Sequence, residues 1–243
     1  TGERLGPDLS ADISEWTINN TLSGATKKAN FQLTNSGGEG AVSLELAQSN
    51  VFAVSLDDET YSGSATISSM EAGAQTIYLR YQPTAVAAYA DTLIINGTLS
   101  IPLAGYVPDF EILADGLLIE DEAEVSFDTL AIEEQDSVLF TVRNVGVENS
   151  LLSNFSIYTA ENMQGEDDAA NFLILDMDGD DVSSEDLFQI SDSLQLRVRF
   201  VGDEEDDNEL TNADMNLYFT VGGSTIQTNL LNGWEDTRYL LSV

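Results

Sequence analysis

The stretch Phe31-Gln32-Leu33-Thr34-Asn35-Ser36-Gly37 decides the fold, because its pattern returns once more in the chain. The second copy is Phe140-Thr141-Val142-Arg143-Asn144-Val145-Gly146. In both copies apolar and polar residues alternate at first, which is typical of a half-buried β-strand. Asn and Gly then favour a turn, because an Asn side chain can bond the local backbone. The sequence therefore predicts one strand-and-turn unit that occurs twice.

Three further pairs of segments follow in the same order. They are Phe52–Leu56 with Phe172–Asp176, Ile77–Pro83 with Leu196–Gly202, and Leu103–Tyr106 with Leu231–Trp234. The spacing widens in the second copy, as insertions in its loops would produce. We therefore predict two tandem domains of ordinary size. The first spans 1–106, with a short lead segment 1–9, and the second spans 107–243, with enlarged acidic loops and a strand-like C-terminal tail.

Short segments of alternating apolar and polar residues, separated by turn residues, favour β-structure along the whole chain. Asn96-Gly97 and Gly222-Gly223 each lie between two strand-like segments and predict tight hairpins, since primed turns need positive φ. We find no amphipathic helix with caps. The fold class predicted is all-β, with two tandem immunoglobulin-like antiparallel β-sandwiches. The repeated aromatic residues are expected in the space between the sheets, namely Phe31, Tyr81, Phe140 and Phe200.

The order of these motifs also carries a family resemblance. An F-x-Φ-x-N-x-G strand, a Φ-x-Φ-x-[YF]-x-P strand, a hairpin and a closing L-x-G resemble the ASH/Hydin-like immunoglobulin-type domains, whose bacterial examples are choice-of-anchor repeats of exported proteins. The resemblance covers nearly the whole chain. It is stronger in 10–106 than from residue 107 on, where Gly202 replaces the expected Pro. It implies a seven-strand sandwich that serves as spacer, scaffold or docking module, with no shared catalytic residues.

The charge of the chain limits its partners. Of 243 residues, 43 are acidic and 8 are basic, which gives a net charge of −35. Residues 1–108 hold 11 acids and 4 bases (−7), and residues 109–243 hold 32 acids and 4 bases (−28). We expect no nucleic-acid partner, because phosphate binding requires clusters of Lys and Arg. We also expect no membrane insertion, since no apolar run approaches about 18 residues.

Cysteine and histidine are both absent. The chain therefore has no thiol nucleophile, no disulfide and none of the familiar nucleophile–base pairs. Among 43 acids, spacing alone marks no carboxylate pair for glycoside cleavage. We predict that the protein is not an enzyme. A disulfide-free module of this size, which begins at Thr1 without Met, is expected to be a processed, exported bacterial protein at the cell surface or outside the cell.

The stretch Ile174–Asp186, ILDMDGDDVSSED, is the candidate metal site. Counted from Asp176, acids fill positions 1, 3 and 5 of an EF-hand loop, but position 6 is Asp181 rather than Gly and position 12 is Leu187 rather than Glu. It is not an EF-hand. A looser Ca²⁺ site remains open, and so does a solvated loop without metal. The residues predicted for the calcium site are Asp176, Asp178, Asp180, Asp181 and Glu185.

The tail is the last distinctive feature. Tyr239, Leu241 and Val243 alternate as in a strand, which either completes the second sandwich or pairs with the sheet edge of another molecule. The predicted function is that of a non-enzymatic structural component of a bacterial surface or extracellular assembly: a stalk, an adhesin or a filament subunit. It would associate with itself or with neighbouring domains. The alternative is a calcium-dependent module that binds carbohydrate or protein, with Phe155, Tyr158 and Trp234 as candidate contact residues.

Overall fold

The computed structural model describes residues 6–48, 51–128, 135–160, 172–183, 185–201 and 210–236. The chain divides into two compact units. Unit 1 comprises Thr1–Asp109 and Gly146–Ser150, and unit 2 comprises Phe110–Val145 and Leu151–Val243. A domain is a part of the chain that folds independently, so this division into units does not test the predicted domain boundary between residues 106 and 107. That boundary stays a prediction.

Unit 1 is built from two sheets. One has the strand order β1-β3-β7-β5 and the other β2-β9-β8-β4-β6. Only β2 and β9 run parallel, and the other pairs in these sheets are antiparallel. The strands are β1 (Leu9–Ala11), β2 (Trp16–Ile18), β3 (Lys27–Asn35), β4 (Gly40–Leu46), β5 (Phe52–Ser55), β6 (Ser64–Met70), β7 (Gly73–Tyr81), β8 (Ala88–Ile95) and β9 (Leu99–Tyr106).

Unit 2 repeats this plan and adds one short strand. Its sheets have the orders β11-β10-β13-β17-β15 and β12-β19-β18-β14-β16, and here β12 and β19 form the parallel pair. The strands are β10 (Phe110–Ala114), β11 (Leu117–Leu118), β12 (Glu124–Ser126), β13 (Gln135–Asn144), β14 (Leu152–Ala160), β15 (Phe172–Leu175), β16 (Phe188–Ile190), β17 (Ser193–Val201), β18 (Leu210–Val221) and β19 (Ser224–Asp236).

The prediction of an all-β chain with two immunoglobulin-like sandwiches is confirmed. The described part of the chain contains no helix, and so none that could span a membrane. Both predicted hairpins are present, with φ of 53° and 69° at Asn96 and Gly97 and of 60° and 80° at Gly222 and Gly223.

The strand number differs from the seven that the family resemblance implied, since the described residues of unit 1 form nine. The reason is that the chain crosses from one sheet to the other at two places, and each crossing divides one extended segment into two strands. In the N-terminal segment, β1 pairs with β3 in one sheet and β2 pairs with β9 in the other. Likewise β5 pairs with β7, whereas β6 pairs with β4 in the other sheet.

The repeated aromatic residues form equivalent contacts in the two cores. Phe52 lies opposite Tyr81, and Phe172 lies opposite Phe200, with 5.0 Å between ring centroids in both pairs. All four rings are at most 3% exposed, as are Phe31 and Phe140. Their predicted place between the sheets is confirmed. Such contacts stabilise a core beyond the area that they bury.

The glycine of the closing L-x-G motif has a packing reason. A Cβ atom on Gly105 would lie 2.4 Å from Cζ of Tyr81, and one on Gly233 would lie 2.7 Å from the Phe200 ring. Real Cβ atoms do not approach other atoms so closely. Each unit therefore packs an aromatic residue near the end of β7 or β17 against a glycine on the facing sheet.

Candidate functional site

The acidic loop follows β15 and returns to the same strand. Asp181 forms an antiparallel bridge with Leu175, and the backbone N–H of Val182 donates to the carbonyl of Ile174 at 2.8 Å. The loop is therefore a short excursion at a sheet edge, closed by main-chain bonds. Gly179, at its bend, has a φ of 93°, which is the left-handed conformation that glycine adopts easily.

Two carboxylates of the loop accept hydrogen bonds from its own backbone and so stabilise its conformation. Oδ1 of Asp176 accepts bonds from the backbone N–H groups of Asp178 and Asp180, both at 2.9 Å. Oδ2 of Asp186 accepts bonds from the backbone N–H of Ser183 at 2.8 Å and from its hydroxyl at 2.9 Å. These bonds, the backbone bond first, lower the pKa of Asp186. The loop thus uses two of its carboxylates as acceptors for its own donors.

The five predicted calcium ligands are spread along this loop. Asp176 is half-buried, whereas Asp178, Asp180, Asp181 and Glu185 are exposed. Among the residues that the structure describes, no three Asp or Glu side chains converge in a way that could hold a metal ion. As placed, the carboxylates do not form a coordination cage. Calcium binding stays a prediction.

Unit 1 has the same device in the equivalent place. After β5, Oδ1 of Asp57 accepts bonds from the N–H groups of Glu59 and Thr60 at 2.9 and 2.8 Å, and from the Ser55 hydroxyl at 2.8 Å. These bonds lower the pKa of Asp57 to about 2, and the bond from Thr60 has the largest effect. Shaping the turn after this strand is thus a role that an aspartate performs in both units.

The three aromatic residues predicted as contact residues lie in different surroundings. Phe155 is fully buried, so the prediction that it contributes to an exposed surface is wrong. The reason is a register shift between Ser153 and Phe155, which includes a positive φ of 54° at Asn154 and directs Phe155 inward against Phe219. Tyr158 is half-buried and stacks on Tyr218 across the strand pair, with 5.3 Å between ring centroids. Trp234 is 39% exposed.

Two further acid runs of unit 2 and the C-terminal tail lie outside the described residues. They are the acid runs around 166–168 and 203–207 and the tail 237–243. The pairing of Tyr239, Leu241 and Val243 therefore stays a prediction with both alternatives.

Sequence reasoning missed where the cations lie. The six described Lys and Arg residues all lie on β3, β7, β13 and β17, which are the paired central strands of one sheet in each unit; they are Lys27, Lys28, Arg80, Arg143, Arg197 and Arg199. The described residues of the two facing sheets contain no cation. Strand alternation was the available signal, since Arg80, Arg197 and Arg199 each stand between two buried apolar residues.

In unit 1 an aromatic side chain covers Arg80 on the outer surface of the β1-β3-β7-β5 sheet. The Tyr61 ring lies 4.9 Å from Cζ of Arg80 and 5.0 Å from Nζ of Lys28. Lys28 also forms an ion pair with Asp58 at 3.0 Å, and the Tyr61 hydroxyl donates to the same carboxylate. The bond from Tyr61, followed by that from Lys28, lowers the pKa of Asp58. Burial is the first cause, and the bond to Asp58 the second, of a raised Tyr61 pKa.

No family model and no curated protein match the chain. Among solved structures it is similar to the CupB6 tip adhesin of Pseudomonas aeruginosa, with 10% identity over 96% of this chain and 100% of that one and a TM-score of 0.33. It is also similar to an ASH/PapD-like domain of human CEP192 (16% identity, 41% and 84% coverage, TM-score 0.28) and to a three-domain immunoglobulin fragment of titin (8% identity, 94% and 66% coverage, TM-score 0.45). At TM-scores below 0.5 these likenesses assign no function, and the chain is defined by its fold of two β-sandwich units rather than by a family.

Proposed function

We propose that the protein is a non-enzymatic structural component of a bacterial cell-surface or extracellular assembly, as part of a stalk, an adhesin or a filament. The observation that carries this proposal is the nature of the residues that repeat. Phe52 and Phe172 are core residues, and Gly105 and Gly233 accept an aromatic ring from the facing sheet. The chain therefore duplicates a scaffold, not a reactive site.

The hydrogen-bonded role of Asn35 supports this reading. It is 1% exposed, and its side chain accepts bonds from the N–H groups of Asp8 and Gly37 and donates to the carbonyls of Gly38 and Met70 at 2.9–3.0 Å. The predicted turn after this strand is confirmed. The most polar residue of the repeated motif thus serves to hold the turn and the segment before β1.

Charge is a second support. A net charge of −35 keeps a protein dispersed in salt solutions, which suits a surface-exposed component. The family resemblance to repeats of exported proteins favours the same location. The preference for a structural role over calcium-dependent binding follows from the acidic loop, where Asp176 and Asp186 are engaged by the loop's own N–H groups.

Surface labelling tests the proposal. Antibodies raised against the chain and detected with gold particles on intact source cells should label the cell exterior or extracellular fibres. Label found only after the cells are opened would contradict the proposal.

The tail provides a test of assembly. If residues 237–243 insert into the sheet edge of another copy, their deletion abolishes polymers seen by electron microscopy and leaves the circular dichroism of the remaining chain unchanged. Polymers that persist after the deletion would instead assign the tail to the second sandwich itself.

A further inference from the structure

The outer surface of the β11-β10-β13-β17-β15 sheet carries three of the six described cations of this acidic chain. On β17 the buried residues Leu196, Val198 and Phe200 face the core, so Arg197 and Arg199 face outward on the same side. Two positions apart on a strand, their Cα atoms lie about 7 Å from each other. These two arginines form the centre of a cationic patch.

Leucines adjoin this pair. Leu139 lies opposite Arg197 on β13, and Leu173 lies opposite Arg199 on β15. Leu139 is half-buried, and Leu173 is 36% exposed. Leu139, Leu173, Arg197 and Arg199 are called the arginine–leucine face below. Arginine with apolar neighbours is a composition enriched in protein interfaces, because guanidinium is weakly hydrated and forms forked bonds to carboxylates.

Within the described residues, neither arginine of this face has an ion pair or a ring contact. Arg143 and Arg80 differ in this respect. Arg143 lies 3.9 Å from Glu111, and Arg80, the counterpart of Arg199 in unit 1, is covered by Tyr61. In a chain with 43 acids, unit 2 thus presents two cations that its own described carboxylates do not neutralise.

The chain itself carries a surface of the opposite character. In the acidic loop the side chains of Asp178 and Asp180 are exposed, and Met177 between them and the strand is 52% exposed. Asp176, not these two, supplies the carboxylate that shapes the loop. Exposed carboxylates beside an exposed apolar side chain match arginines beside leucines in both charge and hydrophobicity.

We propose that the arginine–leucine face binds the acidic loop of a second copy of this chain, with Asp178 and Asp180 against Arg197 and Arg199. The acidic loop begins directly after Leu175, which lies opposite Arg197, so face and loop adjoin at one sheet edge. A two-fold arrangement that forms the contact twice closes a dimer, and an arrangement that forms it once leaves each copy one free face and one free loop. Repetition of such a contact gives an open chain of molecules unless the rotation closes a ring. The inference rests on the proposed role in an assembly and names the surfaces that join its copies.

A charge-swap experiment with the full chain tests this contact. Arg197→Glu with Arg199→Glu reverses the face and changes the net charge by −4, from −35 to −39. Asp178→Lys with Asp180→Lys reverses the loop and changes it by +4, from −35 to −31. Sedimentation equilibrium at a fixed ionic strength of about 0.15 M should show each variant associating at least ~10-fold more weakly than the parent. A 1:1 mixture of the two variants should associate like the parent, because each reversed face then meets a reversed loop.

A matched control distinguishes the effect of the arginine–leucine face from the effect of a more negative net charge. Lys27→Glu with Lys28→Glu also gives −39, on the equivalent sheet of unit 1, and should associate like the parent. Circular dichroism melting curves establish that each variant is folded. Association that the face variant leaves intact, a mixture that fails to recover, or a parent that stays monomeric would overturn the inference. Surface labelling of cells decides the proposed function separately, so each can fail without the other.

Discussion

The two units place different residues on the inner surface of their last strand. In unit 1 this surface of β9 carries Leu99 and Ile101, and Ile101 is fully buried. With Gly105 and Gly233 as equivalent positions, the counterparts on β19 are Gln227 and Asn229. Both are polar, yet Asn229 is 0% exposed and Gln227 is 6% exposed. The same buried position is thus apolar in one unit and polar in the other.

The extra hairpin of unit 2 explains the difference. After β11 the chain runs past these side chains, and Nδ2 of Asn229 donates to the carbonyls of Glu120 and Ala123, both at 2.9 Å. Nε2 of Gln227 donates to Oδ1 of Asn229 at 2.8 Å. Buried carbonyl groups require donors. The comparison teaches that a sandwich position takes its residue type from the segment that covers it, not from its place in the sheet alone.

Ile101→Asn should have the largest effect, because it gives unit 1 the residue of unit 2 without the carbonyls that unit 2 offers. The variant loses buried apolar contacts and buries an amide without partners, so it should lower the free energy of unfolding by about 4 kcal/mol. Urea denaturation measures this.

The reciprocal change, Asn229→Ile, is the control. It should cost about 2 kcal/mol, because it leaves two carbonyls unpaired but adds apolar contact. If Ile101→Asn cost less than Asn229→Ile, the explanation by covering segments would be wrong.

Gly105→Ala tests the glycine–aromatic contact shared by the units. The added Cβ would overlap the Tyr81 ring, so we expect a loss of about 2 kcal/mol in the free energy of unfolding. Gly233→Ala, with the longer approach of 2.7 Å, should lose less. Gly6→Ala is the matched control, because a Cβ there meets nothing within 4 Å. Equal stabilities of the Gly105 and Gly6 variants would show that the contact relaxes freely.

Calcium tests whether the loop after β15 differs in function from the loop after β5. If the five predicted residues bind Ca²⁺, a concentration of ten times Kd adds about 1.4 kcal/mol to the free energy of unfolding. The melting temperature then rises, and Asp178→Asn removes the rise. The parallel variant Asp58→Asn, in the loop of unit 1, should still show the calcium-induced rise in melting temperature. A melting temperature that CaCl₂ does not move would reject the site.

Tyr81→Phe gives unit 1 the aromatic residue that unit 2 has at Phe200. The buried Tyr81 hydroxyl has no hydrogen-bond partner among the described residues, and burial raises the pKa of Tyr81 to about 12. Its removal should leave the free energy of unfolding unchanged or raise it by less than about 1 kcal/mol. Phe200→Tyr should destabilise the protein. A destabilised Tyr81→Phe variant would reveal a partner for the hydroxyl.

Acid titration of Asp57, in the loop after β5, has the smallest expected effect. The folded pKa of Asp57, about 2, lies below its ordinary value of 3.8. The ionised carboxylate therefore stabilises the fold above the ordinary value, and this contribution is lost as the pH falls through about 2. The difference in melting temperature between the parent and Asp57→Asn should shrink from about pH 5 to about pH 2. A difference that does not depend on pH would contradict this assignment.

The sequence predicted what local residues specify. The alternation around Phe31 and Phe140 marked two equivalent strands, and Asn96-Gly97 marked a turn, because side-chain period and positive φ depend on few neighbours. One local signal was available and missed. Pro7-Asp8 and Pro108-Asp109 precede β1 and β10, which pair with Asn35 and Asn144 in the same register.

The candidate site was only partly predictable. The sequence identified the acidic loop and its position after the strand equivalent to β5. It did not show that Asp176 binds the loop's own N–H groups, since a run of acids reads the same with or without that turn. It also placed Phe155 outside, because simple alternation could not foresee the register shift at Asn154.

By itself, then, the sequence determined the all-β class, the duplication and the aromatic core, which follow from patterns repeated within a few residues. Only the tertiary structure decided the split of the first strand between two sheets, the parallel pairs β2–β9 and β12–β19, the buried Asn229 and the arginine–leucine face. Each of these depends on segments far apart in sequence, where the partner of a backbone group or a side chain is set by packing and not by its neighbours along the chain.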